Sequence, residues 1–402
     1  MHFWSIQMKL QAFLLVLAGS MLAGCGGGGG SSSASVGDTC TELSGDNFNC
    51  QEMLQDIKAE SLSKVSALDA ALVILGAGVD AYCADTSNST LQDTAKAEFK
   101  NTMELVQQIE VMQFGPIADV RSDFYVWPSN SLCRIDNQIA TAPDADFSAI
   151  DRNARGLTAV EYLIFEDDVD AQCQGSLSIP VWYLNNSEAE RKSARCDYAQ
   201  RIVSDLEIKS AELKVSLTAY DFNAEFSNLQ QAANTISDAL FYIDTQTKDV
   251  KIKEPINLDV SNSGDVVFNT AQLESQFAKL SKENINNNLV GVKAIIQAGI
   301  DDYLIAKGQE TLATNMISAI DSALINISEI DGDLNAALLS GDTSTNDCTN
   351  LGNSGIYTDS SSDLEVLCAL QWNIKTFTDL LKQDFVLALN FSTPATADGD
   401  ND

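Results

Sequence analysis

The sequence predicts an all-α fold built as two up-and-down four-helix-type bundles packed together. Three observations predict it. Apolar residues recur at three- and four-residue steps over long stretches, only six prolines occur in 402 residues, and one Pro- and Gly-containing interruption divides the chain. Amphipathic helices joined by short links bury their apolar stripes most readily against one another as bundles.

Taken in order, residues 1–24 carry one positive charge, Lys9, then the apolar run from Ala12 to Leu17, then Leu22-Ala23-Gly24-Cys25. A short apolar core ending in small residues marks a secretory signal and is too short to span a bilayer. The ending looks like a bacterial lipobox, which makes Cys25 the expected lipidation site and membrane anchor. Residues 25–39 follow as a tether, with glycines at 26–30 and serines at 31–33, a composition with nothing to bury. Gly26 rather than Asp after the cysteine implies a lipid-anchored protein of the cell envelope, sorted to the outer membrane.

An N-terminal bundle is expected over 40–217, a C-terminal bundle over 218–391, and an acidic tail over 392–402. In 51–84 the apolar positions Leu54, Ile57, Leu62, Val65, Leu68, Leu72 and Leu75 lie on one helical face. The stretches 187–217, 222–242, 273–306, 312–330 and 364–389 read the same way. Gly115-Pro116 reads as a helix end. Residues 249–264, with Pro255 and Ser261-Asn262-Ser263-Gly264, read as a long connection.

With 57 acidic against 24 basic residues the net charge is −33. Such a surface repels phosphate backbones, so no nucleic-acid partner is expected. Of nine cysteines, Cys25 is assigned to the lipid, leaving Cys40, Cys50, Cys83, Cys133, Cys173, Cys196, Cys348 and Cys368. An even number in an exported chain implies disulfides. Short loops close most readily, so the expected pairs are Cys40–Cys50, Cys83–Cys133, Cys173–Cys196 and Cys348–Cys368. No Cys-x-x-Cys spacing supports a thiolate metal cluster.

The segment from Arg155 to Phe165 reads as a helix entered through Gly156, with Leu157, Val160, Leu163 and Ile164 as its apolar stripe. Thr158 and Glu161, three residues apart, project from one face, as a two-ligand site or an acid/base pair requires. The pattern resembles the Gly-x-His-x-x-Glu motif of the imelysin family, a family of predicted peptidases. Gly156, Glu161, Tyr162 and the flanking Arg155 match, and Thr158 stands where the family has His. Residues 110–117 (EVMQFGPI), 125–136 (YVWPSNSLCRID) and 273–291 (LESQFAKLSKENINNNLVG) look like the same family in the same order. The resemblance implies the two-bundle fold, a groove between the bundles that the motif faces, and a link to iron acquisition with an envelope iron-transport partner.

The candidate groove residues are therefore Glu161, Thr158, Arg155, Gly156, Glu110 and Asp136. A threonine hydroxyl is a poor metal ligand, and the single histidine of the chain is His2, inside the leader. Zinc chemistry of the peptidase type needs several nitrogen, sulfur or carboxylate ligands around an open position. The donors left here are carboxylates, Tyr and carbonyls, which suit iron or calcium held by carboxylates. A structural alternative for Glu161 is a buried ion pair with Arg155 or Arg121. No Gly-x-Ser-x-Gly elbow, phosphate-cradling loop or Cys/His pair is present, and the acidic runs at 166–170, 331–333 and 398–402 do not continue as EF-hand loops. The expected function is a non-catalytic envelope protein binding a metal, a metal complex or a partner in the groove. The alternatives are a metallopeptidase using Glu161 and a protein–protein interaction module.

Overall fold

Asn49 starts the first long helix. Its side-chain oxygen accepts from the amides of Gln51 at 3.1 Å and Glu52 at 3.2 Å, satisfying donors that a helix start leaves unpaired. The helix, α1 (Cys50–Ala84), buries Leu54, Ile57, Val65, Leu68, Leu72 and Leu75, most of the stripe the spacing predicts. The chain continues through α2 (Ser89–Glu110), α3 (Gly115–Phe124), α4 (Leu132–Thr141), α5 (Leu157–Phe165), the single turn α6 (Val181–Leu184) and α7 (Glu188–Ala219). A reciprocal capping box between Ser187 and Glu190 opens α7. After α8 (Phe222–Glu225) and α9 (Leu229–Leu240) comes a π-helical stretch, Ile243–Lys253. Then follow α10 (Ser281–Ile295), α11 (Asp301–Ala306), α12 (Glu310–Glu329), α13 (Leu334–Ser340), α14 (Asp363–Asp379) and α15 (Val386–Leu389).

The computed structural model describes residues 48–173, 179–226, 229–256, 269–340 and 363–389, all within a compact unit spanning Asp38–Asp402. The leader, Cys25, the tether, Cys40, Cys348 and the acidic tail lie outside the described residues. Among those described the fold is all-α. Helix α1 packs on α2 and α7, α12 packs on α14, and α10 lies across α2. At that crossing Gly291 is required by contact, since a Cβ there would run into the backbone carbonyl of Gln108. One hydrophobic cluster includes residues on both sides of the expected bundle boundary at 217/218.

Four expectations are corrected. Cys83 bonds Cys196 and Cys133 bonds Cys173, rather than Cys83–Cys133 and Cys173–Cys196. Helices α1 and α7 run antiparallel, as Gln200 to Asp80 and Lys214 to Asp69 contacts show. That packing brings Cys83 and Cys196 to a Cα separation of 5.4 Å across a sequence gap of 113, so tertiary geometry overrides loop length. Cys50 and Cys368 are also disulfide-bonded, and the pairings expected for them involve cysteines outside the described residues. Gly115-Pro116 begins α3 rather than ending a helix, because Pro at a first-turn position forfeits an amide that has no helical partner. The helical path continues past Asp249 to Lys253, where buried ion pairs hold the turn. Finally, 273–280 is not helical; α10 starts only at Ser281.

Candidate functional site

Gly156 determines how α5 enters the core. Its φ is 76°, and a Cβ would sit 2.9 Å from the carbonyl oxygen of Phe124, so both conformation and space demand glycine. The helix that follows is buried from Leu157 to Ile164. It therefore delivers a carboxylate and a phenol into the interior from adjacent positions, and both meet the 273–280 loop at Phe277.

Oε1 of Glu161 accepts hydrogen bonds from the backbone amides of Phe277 and Ala278, both at 3.0 Å. Those amides belong to the non-helical 273–280 loop, in which Ser275 and Lys279 take positive φ values of 50° and 57°. The loop is further held by Asn284, which donates to Oγ of Ser275 at 3.0 Å, and by the Ser281 hydroxyl on the Glu274 carbonyl. Burial pushes the Glu161 carboxyl up from 4.5 to about 7, against the two amides and Ser275, with Glu274 adding to the rise.

Beside it lies a second buried group. The ammonium of Lys251 donates to Oε1 of Gln107 at 2.7 Å, and sits 3.0 Å from both Oε2 of Glu110 and Oε1 of Glu274. Asn288 of α10 donates to Gln107 at 2.9 Å, tying α2 to α10. Burial opposes ionisation of Glu110, but Lys251, Arg121 and a hydrogen bond with Tyr242 outweigh it and hold the carboxyl below its usual range. Burial pushes Glu274 up, with Lys251 pulling the other way and Glu110 adding to the rise. Tyr125 contacts both groups: its hydroxyl lies 3.4 Å from Ser275, and burial together with the charges of Glu274, Glu161 and Glu110 raises it well above the ordinary phenol range.

At the next position of α5, Tyr162 packs its ring on Phe277 at 5.4 Å, donates to Asp136 at 3.1 Å and accepts from Arg195, whose guanidinium also covers the Tyr162 ring at 4.5 Å. Asp136 accepts from the amide of Gln172 at 2.7 Å. Burial nonetheless raises its carboxyl, against Gln172, Arg195 and Tyr162.

The sequence candidates thus separate. Glu161 and Glu110 share one polar core through Glu274 and Tyr125. Asp136 belongs to the Tyr162–Arg195 group. Arg155 pairs with Asp123 at 2.9 Å, and Arg121 lies 3.7 Å from Glu110, so backbone amides, not arginines, hold Glu161. The Thr158 hydroxyl donates at 3.5 Å to the carbonyl of Arg155, just before α5, a local contact. Sequence reasoning missed Lys251, Gln107, Glu274, Asn288 and Tyr125. Glu274 and Asn288 stood inside the family-like 273–291 stretch, but Lys251 carried no signal, since a lysine in a stretch that reads as a connection reads as solvated surface.

The carboxylate oxygens do not fit iron or calcium as arranged. Oε1 of Glu161 faces two N–H donors, and an ammonium already lies between Glu110 and Glu274. Among the described residues no group of three His, Cys, Asp or Glu side chains is placed to hold a metal ion. Next to this core opens a cleft of about 790 Å³ that Tyr125 and Tyr242 share with it. Arg121, Arg134 and Arg152 line the same cleft; Glu161 does not.

Comparisons with known proteins agree with this architecture. The sequence model of the imelysin family matches residues 59–353. No curated protein matches the chain. A solved imelysin-like protein from Psychrobacter arcticum is similar with a TM-score of 0.62 and 14% identity, covering 90% of this chain and 98% of that one. A putative iron-regulated protein A precursor from Parabacteroides distasonis is similar with a TM-score of 0.58 and 17% identity, covering 84% and 97%. At these identities the likeness to the two structures concerns the fold alone.

Proposed function

The chain belongs to the imelysin family, and from that premise we propose that it is a non-catalytic, lipid-anchored envelope protein of iron uptake whose cleft binds a metal complex. The observation that carries this reading is the engagement of Glu161. Its Oε1 is spent on two amides of the 273–280 loop, while the residue at the family's histidine position, Thr158, contacts the Arg155 carbonyl just before its helix. A carboxyl near 7 has the acidity of a general base, so acidity does not decide the matter; position does. Glu161 is 4% exposed and does not line the cleft.

The cleft volume lies within the usual span of small-molecule sites, about 300–1,000 Å³, far more than a bare ion needs. Support for the iron association comes from the family resemblance and from the likeness to the putative iron-regulated protein A precursor of Parabacteroides distasonis. The envelope location draws on the Leu22-Ala23-Gly24-Cys25 ending.

The test is complementation under iron limitation. Cells lacking the protein receive the wild-type chain, Glu161→Gln, Cys25→Ser, or Ser129→Trp, which fills the cleft. Growth on soluble ferric complexes is expected from Glu161→Gln and lost with Ser129→Trp, while Cys25→Ser releases the protein from the membrane fraction. Loss of growth with Glu161→Gln, together with a metal-dependent peptide hydrolysis that the same substitution abolishes, would favour the metallopeptidase reading instead.

A further inference from the structure

In a chain of net charge −33, the large cleft gathers three guanidinium groups. Arg121, Arg134 and Arg152 line it against two acids, Asp151 and Asp238, so its wall is locally cationic where the protein as a whole is strongly acidic. All three are placed by existing ion pairs: Arg121 lies 3.7 Å from Glu110, Arg134 contacts Asp151, and Arg152 lies 3.1 Å from Asp123. Those pairs fix the side chains without using them up. A guanidinium carries about five N–H donors in a planar fork, and the side chains remain 33%, 48% and 55% exposed.

Between the arginines the wall is polar, with Gln113, Ser122, Asn153 and Thr245, and carries one half-buried ring, Trp127; Tyr125, Phe241 and Tyr242 reach the cleft only by their edges, each under a tenth exposed, and Arg121 stacks over the Tyr242 ring at 5.4 Å. A flat apolar face beside guanidinium forks matches a ligand that is itself flat, apolar on its faces and anionic at its edge. A flexible aliphatic polyacid would meet the arginines but waste the ring. A neutral aromatic would meet the ring but leave the arginines to water.

Resting on the reading of this cleft as the ligand site, we propose that its ligand is an aromatic oxyanion: a planar ring bearing carboxylate or phenolate oxygens, which the cleft takes free or as the organic shell of a metal complex. The ring lies against Trp127 while the oxygens accept from Arg134 and Arg152. Arg121 closes the inner end, where Tyr125 and Tyr242 meet the buried core.

Titration calorimetry on the full chain tests this with 2,3-dihydroxybenzoate and its ferric complex as probes, and citrate and ferric citrate as the aliphatic comparison. The dihydroxybenzoate probes are expected to bind with one site per chain, citrate at least about tenfold more weakly. Arg134→Gln and Arg152→Gln should each weaken the aromatic probe about tenfold, the loss of a charge-assisted hydrogen bond. Trp127→Leu should weaken it by a similar factor while leaving citrate unchanged, and thermal melting confirms that each variant is folded. Citrate binding as tightly as the aromatic probe, or aromatic binding indifferent to all three substitutions, would overturn the proposal.

The Ser129→Trp growth assay separates this from the wider reading. If blocking the cleft abolishes iron-limited growth but no aromatic oxyanion binds, the ligand class is wrong and the reading of the cleft stands. If the probes bind in the cleft but blocking it leaves growth intact, the ligand class stands and the iron role is wrong.

Discussion

Two buried carboxylate arrangements lie side by side in this molecule and are stabilised by opposite means. Glu110 and Glu274 share the ammonium of Lys251, and Arg121 lies 3.7 Å from Glu110. Among the described residues no cation pairs with Glu161, which is held by the amides of Phe277 and Ala278. Two cations and Tyr242 hold Glu110 below its usual range, whereas burial raises Glu274 beside its shared ammonium and leaves Glu161 near 7 on its two amides, because two cations offset desolvation where one shared cation or two dipoles only reduce it. What differs is what each carboxylate fixes. The Lys251 group fastens α2 to the Ile243–Lys253 stretch and to the 273–280 loop, while Glu161 shapes one loop.

Breaking the ammonium clamp should therefore cost most. Lys251→Met leaves two buried carboxylates facing each other, and a loss of about 3–5 kcal/mol is expected in urea unfolding. Adding Glu110→Gln and Glu274→Gln should recover much of that loss, since the neutral amides no longer need the cation. A triple variant no more stable than Lys251→Met would show that the lysine acts through packing alone.

Glu161→Ala comes next. It removes the acceptor for two buried amides, each costing about 1–3 kcal/mol when orphaned, and it should loosen the 273–280 loop without disturbing the Lys251 group. Circular dichroism melts that place Glu161→Ala above Lys251→Met in stability would support the ranking.

Glu161→Gln sharpens the contrast through pH. The folded-state pKa is raised, from 4.5 to about 7, so the folded protein holds the Glu161 proton more tightly than the unfolded chain. The stabilisation this gives is present in full below about 4.5 and is lost as pH rises through about 7. The amide oxygen of Gln accepts the same two N–H donors and does not ionise. Stability of Glu161→Gln relative to wild type should thus increase between about pH 4.5 and 7 and level off above it, in parallel urea titrations; a flat difference would place Glu161 in a solvated setting.

The smallest effect belongs to Thr158. Thr158→Ala removes one local bond to the Arg155 carbonyl, so a change within about 1 kcal/mol is expected, with iron-limited growth unaffected.

How much of this was legible in the sequence follows the physics of each element. The stripe of α1 and the extent of α7 were readable, since apolar spacing acts within a few residues. The start of α10 was misplaced because 273–280 keeps apolar residues at helical spacing while its backbone serves Glu161 from far along the chain. Ser275 and Lys279 take positive φ without being Gly or Asn, so no local residue type announced the loop. The disulfides were mispaired for the same reason: Cys83 meets Cys196 through the antiparallel packing of α1 and α7, which no loop-length argument contains. At the site, Glu161 and Glu110 stood out through the family-like stretches, whereas Lys251, the charge that organises them, looked like surface.

The most direct measurement is amide hydrogen exchange at Phe277 and Ala278 in the wild type, Glu161→Gln and Glu161→Ala. Protection retained in Glu161→Gln and lost at those two amides in Glu161→Ala, with α10 from Ser281 onward unchanged, is the expected result. Exchange at both amides indifferent to Glu161→Ala would contradict the role of this carboxylate as the clamp of the loop and return it to the list of groups free to bind a ligand.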